Sequence, residues 1–387
     1  MELTSVEKIN QIRTALNAAF LERSDEIEII LTSIIANQNC QFIGAPGTGK
    51  SALALAVSQC LNMSLFKVNL DQDLDPDFVI GHISLSEMRD NDRIVRNTSG
   101  KIADAELVFL DEVNKCNSAM KNALLLPLNE RMIDVGDGQP RSTKIRSVIG
   151  ASNEFPGCDS IDDDTYHLIH DPNWDRWTLR KLVQYITGDT SFRQLLTQKD
   201  IGQVQLDPSF VLGLDEVDLL RDACKQVNCD SVIGSIMKIR AHLEVAGISL
   251  SDRRWLALLK SIRARAVMDG RNDANSSDLA ILKHGLWRRP EEMEIVSETL
   301  AEHIVDPTAV IQKAINLWRN DLKEALAITE QKDIGIVVTK NSAIKKQIDN
   351  LDLSSATSQQ KSEIKDITSR LRSHIANIMN FDGGSNA

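Results

Sequence analysis

Eight consecutive residues have the composition of a loop that binds phosphate groups. They follow an apolar run, open a helical stretch, and read Gly44-Ala45-Pro46-Gly47-Thr48-Gly49-Lys50-Ser51. Glycines let the backbone curl until successive N–H groups face the phosphates, and the positive end of the helix dipole adds to the attraction. We expect Lys50 to reach the β- and γ-phosphates of a nucleoside triphosphate, Ser51 to offer its hydroxyl to Mg²⁺, and Ala52 to close the binding segment. A ligand-free turn is the competing interpretation, which the flanking strand and helix disfavour.

Two acidic residues, Asp111 and Glu112, follow the apolar run 107–110. Ligands of parallel sheets bind beyond the carboxyl ends of the strands, so we expect this pair beside the phosphate loop. Asp111 is predicted to bind Mg²⁺ through water, and Glu112 to orient and polarise the water that attacks the γ-phosphate. An acidic cap of the next helix is the alternative, and the preceding phosphate loop makes it less favoured. The sequence therefore predicts ATP and Mg²⁺ as cofactors and ATP hydrolysis as the reaction.

Three further residues are candidates for catalysis. Asn153 follows the apolar run 148–151 and is expected to hydrogen-bond the γ-phosphate or its water, unless it only forms a turn. Arg176 and Arg253 carry the cationic charge that phosphoryl transfer needs on its transition state. An aspartate directly precedes each of them. A structural salt bridge with this aspartate is therefore the favoured alternative for both.

The elements that must position these residues alternate between strands and helices. Helical spacing occupies the segments 51–61 and 118–131, and short apolar runs predict buried strands at 40–43, 65–68, 107–110 and 148–151. This alternation predicts an α/β fold with a parallel sheet flanked by helices. Two insertions are expected as well. The polar stretch 71–104 is too long for a simple connection, and 131–146 contains Gly136-Asp137-Gly138, which predicts a β-hairpin.

Helical periodicity continues beyond residue 191. It predicts an all-α lid domain with helices at 214–227, 232–246, 251–268 and 277–287, followed by a C-terminal helical region with helices at 307–329 and 358–379. The predicted domains are a nucleotide-binding domain at 1–190, the lid at 191–290, a C-terminal helical domain at 291–380, and a disordered tail at 381–387.

The net charge and the cysteines indicate which partners and which cellular compartment to expect. The net charge of −11 is opposite in sign to that of most proteins that grip phosphate backbones, so nucleic acid and anionic lipid are unlikely partners. The six cysteines form no CxxC pair and suit a reducing cytosol. The N-terminal stretch has neither a signal peptide nor an apolar span. We therefore expect a soluble cytoplasmic protein without a membrane span.

Taken together, these segments resemble the MoxR-type AAA+ ATPases and in particular their RavA branch. GAPGTGKS is similar to the Walker A motif, VFLDE to Walker B, KNALLLPLNER to the helix after it, and GASNEFP to the sensor 1 segment. The Leu-Glu-Arg-Ser stretch at 21–24 and the stretch from Ser251-Asp-Arg-Arg-Trp to Gly-Leu-Trp at 285–287 resemble RavA specifically. The resemblance covers roughly residues 5–290.

The resemblance implies roles for the arginines. Arg176 matches the segment that holds the family's arginine finger, which acts on the ATP of the neighbouring subunit. Because the segment 157–173 is longer and more acidic than the family pattern, Arg180 and Arg131 are further finger candidates. Arg253 matches the sensor 2 arginine of the lid, and the segment 21–23 would flank the adenine.

The resemblance also implies partners. The family usually forms hexameric rings and works beside a protein with a von Willebrand factor A domain, as a chaperone for complex assembly or metal-cofactor insertion. RavA carries a β-rich discoidal domain after its ATPase core, and the helical pattern after residue 290 predicts that this domain is absent here. Two other functions stay open, a nucleic-acid motor or loader and a slow nucleotide-gated scaffold.

Overall fold

A computed structural model describes residues 4–155, 174–197 and 202–303, and short helical pieces between 314 and 374. Its centre is a five-stranded sheet in the spatial order β2-β3-β6-β1-β7, with all neighbouring strands parallel. The strands are β1 (Cys40–Ile43), β2 (Leu65–Asn69), β3 (Leu107–Asp111), β6 (Ser147–Ser152) and β7 (Leu179–Leu182). The predicted α/β fold and the four predicted strands are confirmed, with bounds that shift by one residue at most.

The fifth strand, β7, was not predicted. Its sequence Leu-Arg-Lys-Leu lacks an apolar run, because two charged residues lie inside it. Arg180 is nevertheless only 1% exposed, since its guanidinium stacks 4.4 Å from the ring centroid of Trp174 and 5.3 Å from that of Trp287. Cation–π contacts of this kind place a charged residue in a core position that local hydropathy cannot reveal.

Helices cover the sheet. They are α1 (Ser5–Ala19), α2 (Ser24–Ala36), α3 (Lys50–Cys60) and α6 (Ser118–Glu130). The first begins with a capping box between Thr4 and Glu7. Nearly every residue of α2 is buried, because this helix contacts β1 and β7 of the sheet and also two helices of the lid.

Both predicted insertions are present. The segment 71–104 contains two short helices, α4 (Pro76–Ile80) and α5 (Leu85–Asn91), and 131–146 contains the antiparallel hairpin of β4 (Met132–Asp134) and β5 (Pro140–Ser142). The two insertions touch, because the backbone N–H of Arg96 donates to the Val135 carbonyl at 2.8 Å.

The lid is helical as predicted. It contains α7 (Asp189–Thr197), α8 (Leu214–Gln226), α9 (Asp230–Val245), α10 (Asp252–Met268) and α11 (Glu292–His303). The predicted helix at 277–287 is wrong in type, since Ser276–His284 is a 3₁₀ helix. Asp278 in its first turn is held by Arg271, and Gly285 at its end lies so close to Leu258 that a Cβ there would be 2.1 Å from Leu258 Cδ2. These tight local contacts favour the narrower helix.

Two compact units divide the chain, Met1–Leu300 and Ala301–Ala387. The described residues between 314 and 374 are helical, in agreement with a helical C-terminal region. The predicted tail at 381–387 and the acidic segment 157–173 lie outside the described residues, and domain boundaries at 190 and 290 stay predictions. Among the described residues, no helix has the length and apolarity to cross a membrane. The five cysteines among the described residues are buried.

Candidate nucleotide-binding site

The phosphate loop curls between the end of β1 and the start of α3. Gly47 and Gly49 adopt the left-handed backbone conformation, with φ of 78° and 84°, which favours glycine. Gly44 is needed for a different reason, since a Cβ there would lie 2.1 Å from the Val183 carbonyl oxygen. That close approach brings the end of β7 against the loop, and the Gly44 N–H donates to Ser152 O of β6 at 2.9 Å.

Lys50 lies with its ammonium inside the loop. Its Nζ donates to the carbonyl oxygens of Gly44 at 2.5 Å and Ala45 at 3.0 Å, and to Thr48 Oγ1 at 3.3 Å. Burial lowers the pKa of Lys50, and the carboxylates of Asp111 and Glu112 oppose that shift. All three acceptors are neutral, so phosphate oxygens would be stronger acceptors for the same ammonium.

The acid pair lies at the same edge of the sheet. Only β6 separates β3 from β1, and both strands end at this carboxyl edge. Asp111 is the last residue of β3, and its Oδ1 accepts a hydrogen bond from the Glu112 N–H at 3.2 Å. Ser51 lies in the first turn of α3, next to Lys50. The predicted loop and acid pair are thus brought together, as the effect of both acids on the pKa of Lys50 also indicates.

Glu112 is held in one orientation by residues from two elements. Its backbone is left-handed, with φ of 53°, and the N–H of the next residue, Val113, donates to Ala151 O of β6 at 2.9 Å. Asn153 Nδ2 donates to Glu112 Oε1, and Lys115 Nζ lies 3.4 Å from Glu112 Oε2. Sequence reasoning missed Lys115, although its i,i+3 spacing from Glu112 was visible.

An apolar cavity of about 400 Å³ opens beside the phosphate loop. Its lining includes Gly47, Thr48, Gly49 and Ala52 of the loop segment and the predicted positions Leu21 and Arg23. Four further lining residues were missed by sequence reasoning: Tyr185, Ile186, Phe192 and Leu195. Position, size and apolar lining suit a nucleotide base. The missed residues follow the unpredicted β7, so their approach to the loop had no signal in the sequence.

Arg23, which lines this cavity, and the adjacent Glu22 bind the chain segments around it. Arg23 is 9% exposed, and its guanidinium donates to Thr48 O at 3.2 Å and Gln184 O at 2.8 Å. Glu22 accepts from the N–H groups of Thr187 and Gly188, each at 3.0 Å, and these bonds lower its pKa. Both residues join the start of α2 to the segment after β7.

Arg176 and Arg253 lie at the opposite edge of the sheet. In the register of β1 and β7, Leu179 pairs with Cys40 at the amino ends of the strands, and Arg176 precedes that end, where its carbonyl accepts from Asn39 Nδ2 at 3.3 Å. Arg253 Nη2 donates to Asp175 Oδ2 at 3.0 Å. Within one chain, neither arginine is therefore brought to the phosphate loop. Arg253 does form a salt bridge, but with Asp175 and not with the neighbouring Asp252 that the sequence suggested.

The adjacent Arg254, which sequence reasoning missed, is the buried anchor of the lid. It is 2% exposed and donates to Gly285 O at 2.8 Å, Thr178 O at 3.0 Å, and Trp177 O and Asp175 O at 3.3 Å. Burial lowers its pKa to about 10. The pair of arginines in the sequence gave no sign of which one would point inward.

The two other finger candidates are committed to contacts within the chain. Arg180 is covered by two tryptophan rings, as described above. Arg131 donates to Asn37 Oδ1 at 3.1 Å, Leu128 O at 2.9 Å and Pro127 O at 3.2 Å. Neither guanidinium is as exposed as that of Arg253, whose side chain is 61% exposed.

Comparison with known families agrees with this geometry. A family model described as the MoxR domain in the MoxR-vWA-beta-propeller ternary systems matches residues 7–218, more than half of the chain. The chain belongs to the MoxR family of AAA+ ATPases. A second family model, an AAA lid domain, matches residues 231–300 of this MoxR protein.

Relatives of the MoxR chain include two uncharacterized proteins of Methanocaldococcus jannaschii. One is 33% identical and the match covers 85% of this chain and 83% of that protein. The other is 35% identical over 75% of this chain and 74% of that protein. A crystal structure of a candidate ATPase from Cytophaga hutchinsonii is similar in fold, with a TM-score of 0.59, 16% identity, and coverage of 78% of this chain and 95% of that one.

The donor set of this MoxR chain fits a magnesium nucleotide. The Ser51 hydroxyl and the Asp111 carboxylate are oxygen donors, the class of ligand that Mg²⁺ prefers. They lie beside glycines whose curled backbone leaves the Cβ positions of Gly47 and Gly49 free of neighbours within 4 Å. A triphosphate can therefore approach the loop backbone closely.

Proposed function

We propose that this MoxR-type chain binds and hydrolyses Mg-ATP at the interfaces of a ring. The observation that carries the proposal is the bond from Asn153 to Glu112 beside the phosphate loop, because it holds a carboxylate where a water would attack the γ-phosphate. The ammonium of Lys50 and the loop N–H groups bind the phosphates, Ser51 and Asp111 hold the metal, and the bound Mg²⁺ neutralises charge on the phosphates.

The positions of the arginines support a site shared between subunits. The phosphate loop lies at the carboxyl edge of the sheet, whereas Arg176 and Arg253 lie at its amino edge. A head-to-tail arrangement brings the amino edge of one subunit to the carboxyl edge of the next, and such an interface forms a ring when the rotation between subunits closes. We propose Arg176 as the finger and Arg253 as a second cation, each acting on the neighbour's ATP, in a ring of six.

The proposed work of the ring is remodelling, assembly or metal-cofactor maturation of a protein client in the cytoplasm. Support for a von Willebrand factor A partner comes from the description of the matching family, which names such a protein together with a β-propeller. Membership of the RavA branch is likewise proposed, from the stretch 251–287 that resembles it.

Mixing two inactive variants tests the shared site. Lys50→Ala removes the phosphate ligand of a subunit's own site, and Arg176→Ala removes the finger offered to the neighbour. Mixed rings contain interfaces with an intact Lys50 on one side and an intact Arg176 on the other, so phosphate release should reappear on mixing. Arg240→Ala on the exposed face of α9 should stay fully active. No recovery at any ratio of subunits would contradict action between neighbours.

The alternative of a nucleic-acid motor has little support in the hairpin insertion. Its cations are paired within the chain, with Arg141 on Asp137, Lys144 on Asp104 and Arg146 on Asp218. Salt-sensitive stimulation of ATP hydrolysis by DNA would favour the motor. A slow nucleotide-gated scaffold would instead show ring assembly with ATP but very low turnover per subunit.

A further inference from the structure

A second cavity, of about 500 Å³, lies at the amino edge of the sheet. Five basic side chains line it, and we call them the cationic pocket: Arg146, Arg221, Lys225, Lys260 and Arg263. The other lining residues include Asn37, which lies between the end of α2 and the start of β1. The cavity is therefore at the edge opposite the phosphate loop.

Helical spacing places four of these cations in two pairs, one pair on each of two helices. Arg221 and Lys225 are four residues apart on α8, and Lys260 and Arg263 are three residues apart on α10, so each pair shares one face of its helix. These two helices pack on each other, and Arg146 joins them from the residue before β6. Three separate elements thus converge on one space.

Guanidinium N–H groups in the pocket have no acceptor. Arg146 Nε, Arg221 Nη1 and Arg263 Nε are shielded from solvent and have no hydrogen-bond partner among the described residues. A buried donor left without an acceptor costs free energy, which a ligand oxygen would recover. Guanidinium groups bind phosphate oxygens in paired, charge-assisted hydrogen bonds.

The charges of the pocket are unbalanced. Two carboxylates line it: Asp218 pairs with Arg146 at 2.5 Å and lies 4.0 Å from Arg221, and Asp222 pairs with Lys225 at 2.7 Å. No carboxylate of the described residues forms an ion pair with Lys260 or Arg263. Burial and the neighbouring Arg146 lower the pKa of Arg221, which is the electrostatic consequence of crowding like charges.

We propose that the cationic pocket is a second ligand site, for a compact molecule that carries two or more phosphate groups. Such a ligand supplies acceptors to the free guanidinium N–H groups and neutralises the excess positive charge. An acidic peptide offers single carboxylates spread along a chain, which match clustered guanidinium N–H groups less well. Within one chain, no residue of the phosphate loop lines this site.

Titration calorimetry with inorganic tripolyphosphate tests the proposal in the Lys50→Ala background, where the phosphate loop is disabled. We expect about one equivalent to bind, with an affinity that falls as salt is added, since ionic contacts are screened. Replacing Lys260 and Arg263 together by Ala should weaken binding about tenfold or more, because two charge-assisted contacts are lost. Lys260→Glu alone should weaken binding as well, and because Lys260 is exposed, this substitution should leave the stability of the fold nearly unchanged.

Arg240→Ala, an exposed arginine of the lid outside the pocket, serves as the control and should leave binding unchanged. The proposal is overturned if Lys50→Ala protein does not bind tripolyphosphate, or if the pocket variants bind it as well as the control. Tighter binding of polyglutamate at the same residues would also overturn it, in favour of a protein partner. If the protein does not hydrolyse ATP but tripolyphosphate binds as expected, the proposed function is contradicted and the proposal for the pocket is not.

Discussion

Asn153 donates a hydrogen bond from Nδ2 to Oε1 of Glu112, which joins the residue after β6 to the residue after β3. Lys115 Nζ lies 3.4 Å from the other carboxylate oxygen, which is buried and has no hydrogen-bond partner among the described residues. A carboxylate that polarises water has to point at one place, and these partners set that orientation before any nucleotide binds.

Replacing Asn153 by Ala should lower kcat for ATP about 100-fold while the affinity for nucleotide changes little, since the amide positions the catalytic carboxylate rather than the base. Steady-state phosphate release and binding of a fluorescent nucleotide measure the two quantities. Lys115→Ala removes the other contact of Glu112 and should have a smaller effect in the same direction. Equal losses of kcat and of affinity would indicate that Asn153 acts mainly on binding.

Phe192→Ala should weaken nucleotide binding about tenfold, because the ring lines the apolar cavity beside the phosphate loop and its removal takes away buried contact area. Leu196→Ala is the matched control on the same helix, since Leu196 is 71% exposed and is not part of the cavity lining. Dissociation constants for ATP in both variants check this prediction, and similar weakening by the two changes would argue against a base site there.

Gly44→Ala should lower the free energy of unfolding by about 1–3 kcal/mol, because the new Cβ collides with the Val183 carbonyl. Gly234→Ala in α9 is the control. No atom lies within 4 Å of the Cβ position there, so this change should raise stability by up to about 1 kcal/mol. Chemical denaturation of both variants measures the difference, and an unaltered midpoint for Gly44→Ala would show that β7 lies farther from the loop.

Arg253→Ala and Arg254→Ala should separate function from stability. Loss of Arg254 removes the donor of four hydrogen bonds to carbonyls, three of which are buried, so the melting temperature should fall strongly, by an equivalent of about 3 kcal/mol. Loss of the exposed Arg253 should cost at most about 1 kcal/mol but reduce ATP turnover in assembled rings. Normal turnover of the Arg253 variant at saturating protein would exclude its proposed role on the neighbour's nucleotide.

Local chemistry was enough to predict that the glycine-rich loop, the acid pair and Asn153 lie at one edge of the sheet. The glycines of the loop and the acids after β3 carry their own signals, because turn formation and strand burial depend on nearby residues. Arg180 shows where this fails, since a charged residue is buried by tryptophans that are distant in sequence or separated from it by turns. For the same reason, β7 and the apolar cavity beside the phosphate loop were not predicted.

The placement of the arginines could not be predicted for a related reason. Adjacent Arg253 and Arg254 have the same local chemistry, and only the packing of α10 on the start of β7 decides which one is buried. Whether a cation serves its own site or a neighbour's depends on the edge of the sheet at which it lies, which is a property of the assembled fold.

The most direct test compares ATP binding and ATP turnover in Glu112→Gln. The amide keeps the size of the side chain and can no longer polarise water, so we predict ATP binding like that of the unaltered protein and phosphate release reduced at least about 100-fold. Phosphate release at the unaltered rate would contradict the assignment of Glu112, and with it the account of how this site works.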